Sequence, residues 1–314
     1  MTNQSLLAQS LMSRFVPSSV RPLSSKEFWS LTRLAALQTL QGLSAEEIGL
    51  QYGVPPGIAE RVPPLLDRGR SLALALEELE HRGIWVLVAG DQRYPLRLHE
   101  RLGDAAPAML YGVGDPAQLG TEGVGVVGSR DIGLQSAQVA SDVAHFAASR
   151  RVPVVSGGAR GVDRQAMDAA FEVGGNAIGV LAESLIRTAG ESSIRRAIAA
   201  EQLCLITPYS PTAPFSVGNA MGRNKIIYAL TSATVVVRSD EDAGGTWAGA
   251  TEALAKHYGT VWSWLGAGAG PGNESLVKRG ARPLATSDRF DDLLEHPPVH
   301  RISARYDNGA VTLF

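Results

Sequence analysis

GVGVVGSRDIG, residues 123–133, and RVPVVSGGARGVD, residues 151–163, decide the fold. Each opens in a short run rich in valine. Each closes in a glycine turn that carries an arginine, Arg130 in the first and Arg160 in the second. Between them Val139, Val143 and Phe146 recur at helical spacing, and after the second turn Asp163 opens another helix. Strand, turn, helix, strand, turn, helix is the repeating unit of a parallel sheet. Glycine-lined basic turns at the carboxyl ends of neighbouring parallel strands make a place for an anion.

The alternation continues downstream. AIGVLAE, LCLITP, TVVVRS and TVWSWLG read as strands, with helices in SSIRRAIAAE, GNAMGRNKIIYALTS and TWAGATEALAKHYG between them and a short one in NESLVKRG after the last. The fold class this predicts is α/β, a Rossmann-like, mostly parallel sheet with helices on both faces. Upstream, IWVLVAG and AMLYGVG read as strands on either side of DQRYPLRL, which reads as a turn and an extended piece. Residues 24–82 predict a small all-helical N-terminal domain, with capping boxes at Ser24–Glu27 and Ser44–Glu47. Residues 1–23 are weakly patterned and predict a loose arm. The organisation expected is therefore an arm and helical domain over 1–83, a Rossmann-like domain over 84–294 and a tail over 295–314 with extended pieces VHRISARY and AVTLF. LSAEEIGLQYGVPPGIAERV has a helix-turn-helix outline. Its would-be recognition helix offers only Glu60 and Arg61 among apolar residues, so it reads as a packing unit.

Composition narrows the function. The formal net charge is -2, so a nucleic acid would have to be held by a local basic patch. The single cysteine, Cys204, lies in the apolar run LCLIT and reads as core in a reducing compartment. The six histidines are scattered and predict no metal site. No apolar run reaches membrane-spanning length, and the start of the chain lacks the pattern of a signal peptide, so the expected location is cytoplasmic, with no membrane partner.

In an open parallel sheet the ligand sits outside the carboxyl ends of the strands, where strand order reverses. The candidates at those ends are Gly128, Ser129 and Arg130; Ser156, Gly157, Gly158, Arg160 and Asp163; Arg223, Asn224 and Lys225; and Gly244, Gly245 and Thr246. Glycine, serine and arginine wrap an anion with N–H donors. Asp163 also fits a plain helix-start carboxylate. Phe215 fits either the core or a base-stacking platform. Tyr228, Leu230 and Trp247 fit an association face or, better, core packing. A G-x-G-x-x-G after the first strand and a P-loop lysine motif are both missing, so no nucleotide cofactor is expected.

In order and spacing, VVGSR, VVSGGARGVD, GRNKIIYALTSATVVV, GGTWAGATEAL and GNESLVKRGA resemble the DprA/Smf family of DNA-processing proteins, over roughly residues 84–285. The resemblance implies a non-enzymatic protein that binds single-stranded DNA, loads RecA on it and forms a homodimer. It places Arg130, Arg160 and Lys225 in a positive pocket, with Ser129, Ser156, Gly157 and Gly158 as backbone donors and Arg223–Asn224 as the family's RN pair. The helix GVDRQAMDAA lacks the family's usual histidine, and Leu265-Gly266 stands where it has proline-glycine, which marks a divergent branch. A related branch implies an alternative, an antitoxin or partner subunit of a phage-defence toxin resembling a phosphoribosyltransferase. A second alternative is a nucleotide phosphoribohydrolase-like enzyme, with Gly244-Gly245-Thr246 and Glu252 as its elements.

Overall fold

The computed structural model describes residues 2–295; the tail pieces VHRISARY and AVTLF lie outside the described residues. The chain divides into two compact units, with the division between Tyr111 and Gly112.

The first unit is mainly helical: α1 (Asn3–Met12), α2 (Ser25–Leu34), α3 (Ala45–Tyr52), α4 (Pro56–Ala59), α5 (Val62–Leu66), α6 (Gly69–His81), strand β1 (Trp85–Val88), α7 (Arg97–Leu102) and strand β2 (Met109–Val113), which crosses the division. The two capping boxes form as the sequence predicts, Ser24 with Glu27 and Ser44 with Glu47. Two expectations fail here. The first residues are no loose arm. Thr2 caps α1 through the Ser5 N–H at 3.1 Å, and Leu7, Ala8, Leu11 and Met12 are buried. The buried Arg68 donates to the carbonyl of Ser10 in the last turn of α1 and to those of Ser13 and Val16 just beyond it. DQRYPLRL does not stay extended either. Leu98 and Leu102, four apart, share one buried face, and their burial draws the chain into α7. The helix-turn-helix outline ends in α4, a single turn of four residues, too short to enter a groove.

Glu27 ties this unit together. One carboxylate oxygen completes the α2 cap, and the other accepts from Arg61 and Arg21, each at 2.6 Å. Burial alone would raise its pKa, but the hydrogen bonds from Arg61 and Ser24 outweigh that and hold the carboxyl at about 2. A depressed folded pKa contributes stability above the unfolded value of 4.5 that is lost as pH falls towards 2. Helical content followed from pH 6 to pH 2 should therefore fall in that window. Glu27→Gln should remove about 1–2 kcal/mol at neutral pH, after solvent screening, and flatten the profile.

The second unit holds β3 (Gly123–Gly128), α8 (Leu134–Ser149), β4 (Val154–Ser156), α9 (Val162–Glu172), β5 (Ala177–Val180), α10 (Leu185–Ala189), α11 (Ser192–Ala199), β6 (Leu203–Thr207), α12 (Val217–Leu230), β7 (Thr231–Arg238), α13 (Gly244–Lys256), β8 (Thr260–Trp264), α14 (Gly272–Lys278) and β9 (Arg282–Leu284). From β6 the strand order is β6-β5-β4-β3-β7-β8-β9, and each described pairing among these is parallel. Right-handed crossovers put α8, α9 and α11, which lead from β3 out to β6, on one face and α12, α13 and α14 on the other. Accordingly α8 packs on α9, and α12 on α13. The fold is α/β and Rossmann-like, as the sequence predicts. Its core is the middle of the sheet, where Val124, Val126, Val154, Ile178, Val235 and Val236 are fully buried. Cys204 lies in β6 with its thiol pushed up to about 12, chiefly by burial. Among the described residues no helix is long and apolar enough to cross a membrane, and no group of three metal-ligating side chains forms.

Candidate functional site

The central strand β3 has β4 on one side and β7 on the other, so connections leave it in opposite directions. This is the switch point, and the fold opens a crevice there at the carboxyl ends of the strands. A cleft of about 440 Å³ occupies it. Gly128–Arg130 at the end of β3 form one wall, α12 from Val217 to Tyr228 a second, and Asp240 with Ala243–Thr246 after β7 a third.

The two glycine turns, similar in sequence, have different fates. The first opens to the cleft. Arg130 is exposed there, with its guanidinium 5.7 Å from the ring centroid of Phe215, itself 49% exposed. Phe215 is thus a half-exposed ring in the lining of the cleft and not core. The second turn closes on a carboxylate of its own chain. The Gly157 N–H donates to Asp163 at 3.1 Å, and the Ala159 N–H points to the same group. Asp163 is buried at the start of α9, and burial pushes its carboxyl up while Arg223 and these N–H groups pull it down. Asp163 fills the anion place that the turn would otherwise offer to a ligand.

Arg223 completes this buried knot. Burial lowers its pKa, Asp163 opposes that, and its guanidinium lies on Gly157, with an Nη2 contact of 3.4 Å to the Gly157 carbonyl. A Cβ on residue 157 would fall inside that guanidinium, which explains a glycine with ordinary backbone angles here. The backbone-donor expectation needs correction in two places. The Gly157 N–H is engaged by Asp163, and the Ser129 N–H is engaged by the Arg238 carbonyl at 3.0 Å. The Ser156 hydroxyl is likewise engaged, donating to the Val126 carbonyl at 2.7 Å. Gly158, at φ +67°, makes the turn.

Of the three cations expected together, Arg130 lines the cleft, while Arg160 and Lys225 lie outside its lining. Arg160 is exposed. Lys225 is half-buried; burial lowers its pKa, and Glu252 on α13 opposes the shift. Glu252 accepts from the Tyr258 hydroxyl at 3.2 Å. Asn224 lines the cleft and donates to the Gly245 carbonyl at 3.1 Å, and a Cβ on Gly249 would sit 3.0 Å from its amide, so α12 and the start of α13 are closely packed. That contact positions Gly244, Gly245 and Thr246, which open α13 against the cleft. Tyr228, Leu230 and Trp247 are buried within the chain and form no exposed face.

One structural residue carries no signal in the sequence. Asn273, fully buried at the start of α14, accepts from the N–H groups of Ser239 and Gly270 and donates to the carbonyls of Val236, Val237 and Trp264. It ties the ends of β7 and β8 together beneath the loop that carries Asp240.

A doubly wound parallel sheet with an arginine-bearing cleft at its switch point places the chain among the Rossmann-like α/β proteins. The chain belongs to the DNA recombination-mediator protein A family, whose sequence model matches residues 85–296. A Mycobacterium tuberculosis protein that carries the name DNA processing protein DprA is 29% identical over 239 residues, covering 70% of this chain and 60% of its own length. The chain thus spans about three-fifths of that relative. The X-ray structure of DNA processing protein A from Streptococcus pneumoniae superposes with a TM-score of 0.62 at 22% identity, covering 87% of this chain and 99% of the other. DNA processing protein A from Helicobacter pylori, a protein described with a single-stranded DNA binding mode, gives 0.55 at 22% identity, over 67% and 94%. These likenesses establish the shared fold.

Proposed function

We propose that the cleft binds single-stranded DNA without sequence preference, and that the protein acts in DNA processing as a non-catalytic mediator that presents the strand to RecA. The observation that carries this reading is Arg130 above the exposed ring of Phe215 at the cleft mouth. A guanidinium neutralises a phosphate and an exposed ring stacks a base whatever its identity. The single-stranded DNA binding mode of the Helicobacter pylori protein supports the same class of ligand. Among the described lining residues the carboxylates are Asp163, held in the buried knot, and exposed Asp240. Neither has a partner suited to acid–base chemistry, which favours binding over catalysis.

Fluorescence anisotropy on labelled oligo-dT across a salt series tests the reading. Arg130→Ala should weaken binding at least about tenfold at low salt and reduce the slope of log affinity against log salt by about 0.7. Phe215→Ala should cost about 1–3 kcal/mol with the slope unchanged. Affinity unmoved by both substitutions would rule out the cleft mouth as the strand site.

A further inference from the structure

Strand β9 is the last strand of the sheet beyond β8, and among the described residues its outer edge is unpaired. An open edge invites another strand. This one does not. The Leu265 N–H donates to the Leu284 carbonyl at 2.8 Å, so Arg282 and Leu284 turn their main-chain groups to β8 and residue 283 turns its own outward. Residue 283 is proline and has no N–H to offer. Recognition at this edge therefore falls to side chains. Two of them are arginines set on buried tryptophans. Arg282, opposite Trp262 in the register, has its guanidinium 5.4 Å from that ring's centroid, and Arg279, at the end of α14, lies 5.2 Å from the ring of Trp247. Both arginines are exposed, as is Lys278 before them, while Trp262 and Trp247 are 3% and 7% exposed.

The same chain shows what such an arginine takes. Arg289 shares the Trp262 ring at 6.0 Å and holds Asp292 through Nε at 2.8 Å and Nη2 at 2.6 Å. Arg150, 5.4 Å from the Phe146 ring, likewise holds Asp291. In each case the ring fixes the guanidinium, and the N–H groups left free bind a carboxylate. Arg279 and Arg282 have the ring, and among the described residues neither has the carboxylate. Arg279 also suits the carboxyl end of α14, but a helix end asks only for positive charge and not for a ring. We propose that this edge is a docking surface for a protein partner that presents an acidic stretch, whose carboxylates pair with Arg279 and Arg282. A nucleic acid fits it less well, because the tryptophans are sealed beneath the guanidiniums and leave no ring on which a base could stack. Neither arginine belongs to the cleft lining, so the surface is separate from the cleft and does not depend on strand binding there.

Fluorescence anisotropy on the full chain tests this, with labelled hexaglutamate as the probe and hexaglutamine and oligo-dT beside it. At low salt hexaglutamate should bind at least about tenfold more tightly than hexaglutamine, and salt should weaken it. Arg279→Gln combined with Arg282→Gln should weaken hexaglutamate at least about tenfold and leave oligo-dT unchanged. Arg282→Lys keeps the charge but loses the planar fork, and should cost about threefold. Arg130→Ala should weaken oligo-dT and not hexaglutamate, which separates the edge from the cleft. Hexaglutamate affinity unmoved by the double substitution would overturn the proposal. So would a lysine variant equal to wild type, which would leave only diffuse charge attraction. Loss of oligo-dT in place of hexaglutamate would make the edge a nucleic-acid surface and overturn it too. If hexaglutamate does not bind and the double variant changes the sedimentation of the chain, the edge joins two copies and the acidic partner is ruled out.

Discussion

Gly157→Ala is expected to destabilise the Rossmann-like unit by about 3–4 kcal/mol at neutral pH, although the substitution adds one methyl group and the backbone there is relaxed. The added Cβ falls inside the Arg223 guanidinium, which must leave. Asp163 then remains buried without its counter-charge, and removing one partner of a buried pair costs more than the pair contributes. The sign of the pH dependence follows. Burial has already raised the Asp163 carboxyl, and losing Arg223 raises it further. A carboxyl raised in the folded state binds its proton more tightly there than in the unfolded chain. The penalty is therefore absent below the ordinary aspartate range and complete above the raised value. Urea denaturation at pH 5 and pH 8, followed by tryptophan fluorescence, should show the variant closer to wild type at the lower pH. Adding Asp163→Asn should recover much of the loss at pH 8. Equal losses at both pH values, or no recovery in the double variant, would mean that the two charges do not form a coupled knot.

Asn273→Ala should cost about 4 kcal/mol or more, because two N–H groups and three carbonyls lose their partner in a place without solvent. Asn273→Asp is nearly isosteric and should be worse at neutral pH. It keeps the acceptor facing Ser239 and Gly270 but sets an oxygen where the Nδ2 donates to Val236, Val237 and Trp264. Denaturant midpoints of the two variants test this order. An alanine variant within about 1 kcal/mol of wild type would mean that the ends of β7 and β8 hold without the side chain.

Much of the fold was legible because its signals are local. Both capping boxes lie within four residues, and valine-rich runs alternating with amphipathic helices specify a covered parallel sheet. Where the reading failed, the cause was tertiary. The first helix is held by Arg68, far away in sequence, and α7 rests on a Leu98–Leu102 pair too short to stand out. The candidate site was legible in outline, since strand ends and glycine turns mark a switch point. That one turn opens outward while its twin closes on Asp163 depends on Arg223, 66 positions from Gly157. Sequence spacing cannot show which cations a helix turns toward a crevice, so Lys225 read like Arg130. Phe215 stayed ambiguous for the same reason, as an aromatic in the connection from β6 to α12 fits a core or a surface.

The position of β3 bears on how the protein is made. It pairs early with β4, Val124 opposite Val154, but its other neighbour begins only at Thr231. On the ribosome, β3 to β6 and their helices emerge first, with one long edge of β3 uncovered. An uncovered, apolar, parallel edge is a template for pairing with another chain. Until β7 arrives, the nascent chain is therefore exposed to misassembly at the strand that will become its centre, and the cleft does not exist until α13 has followed.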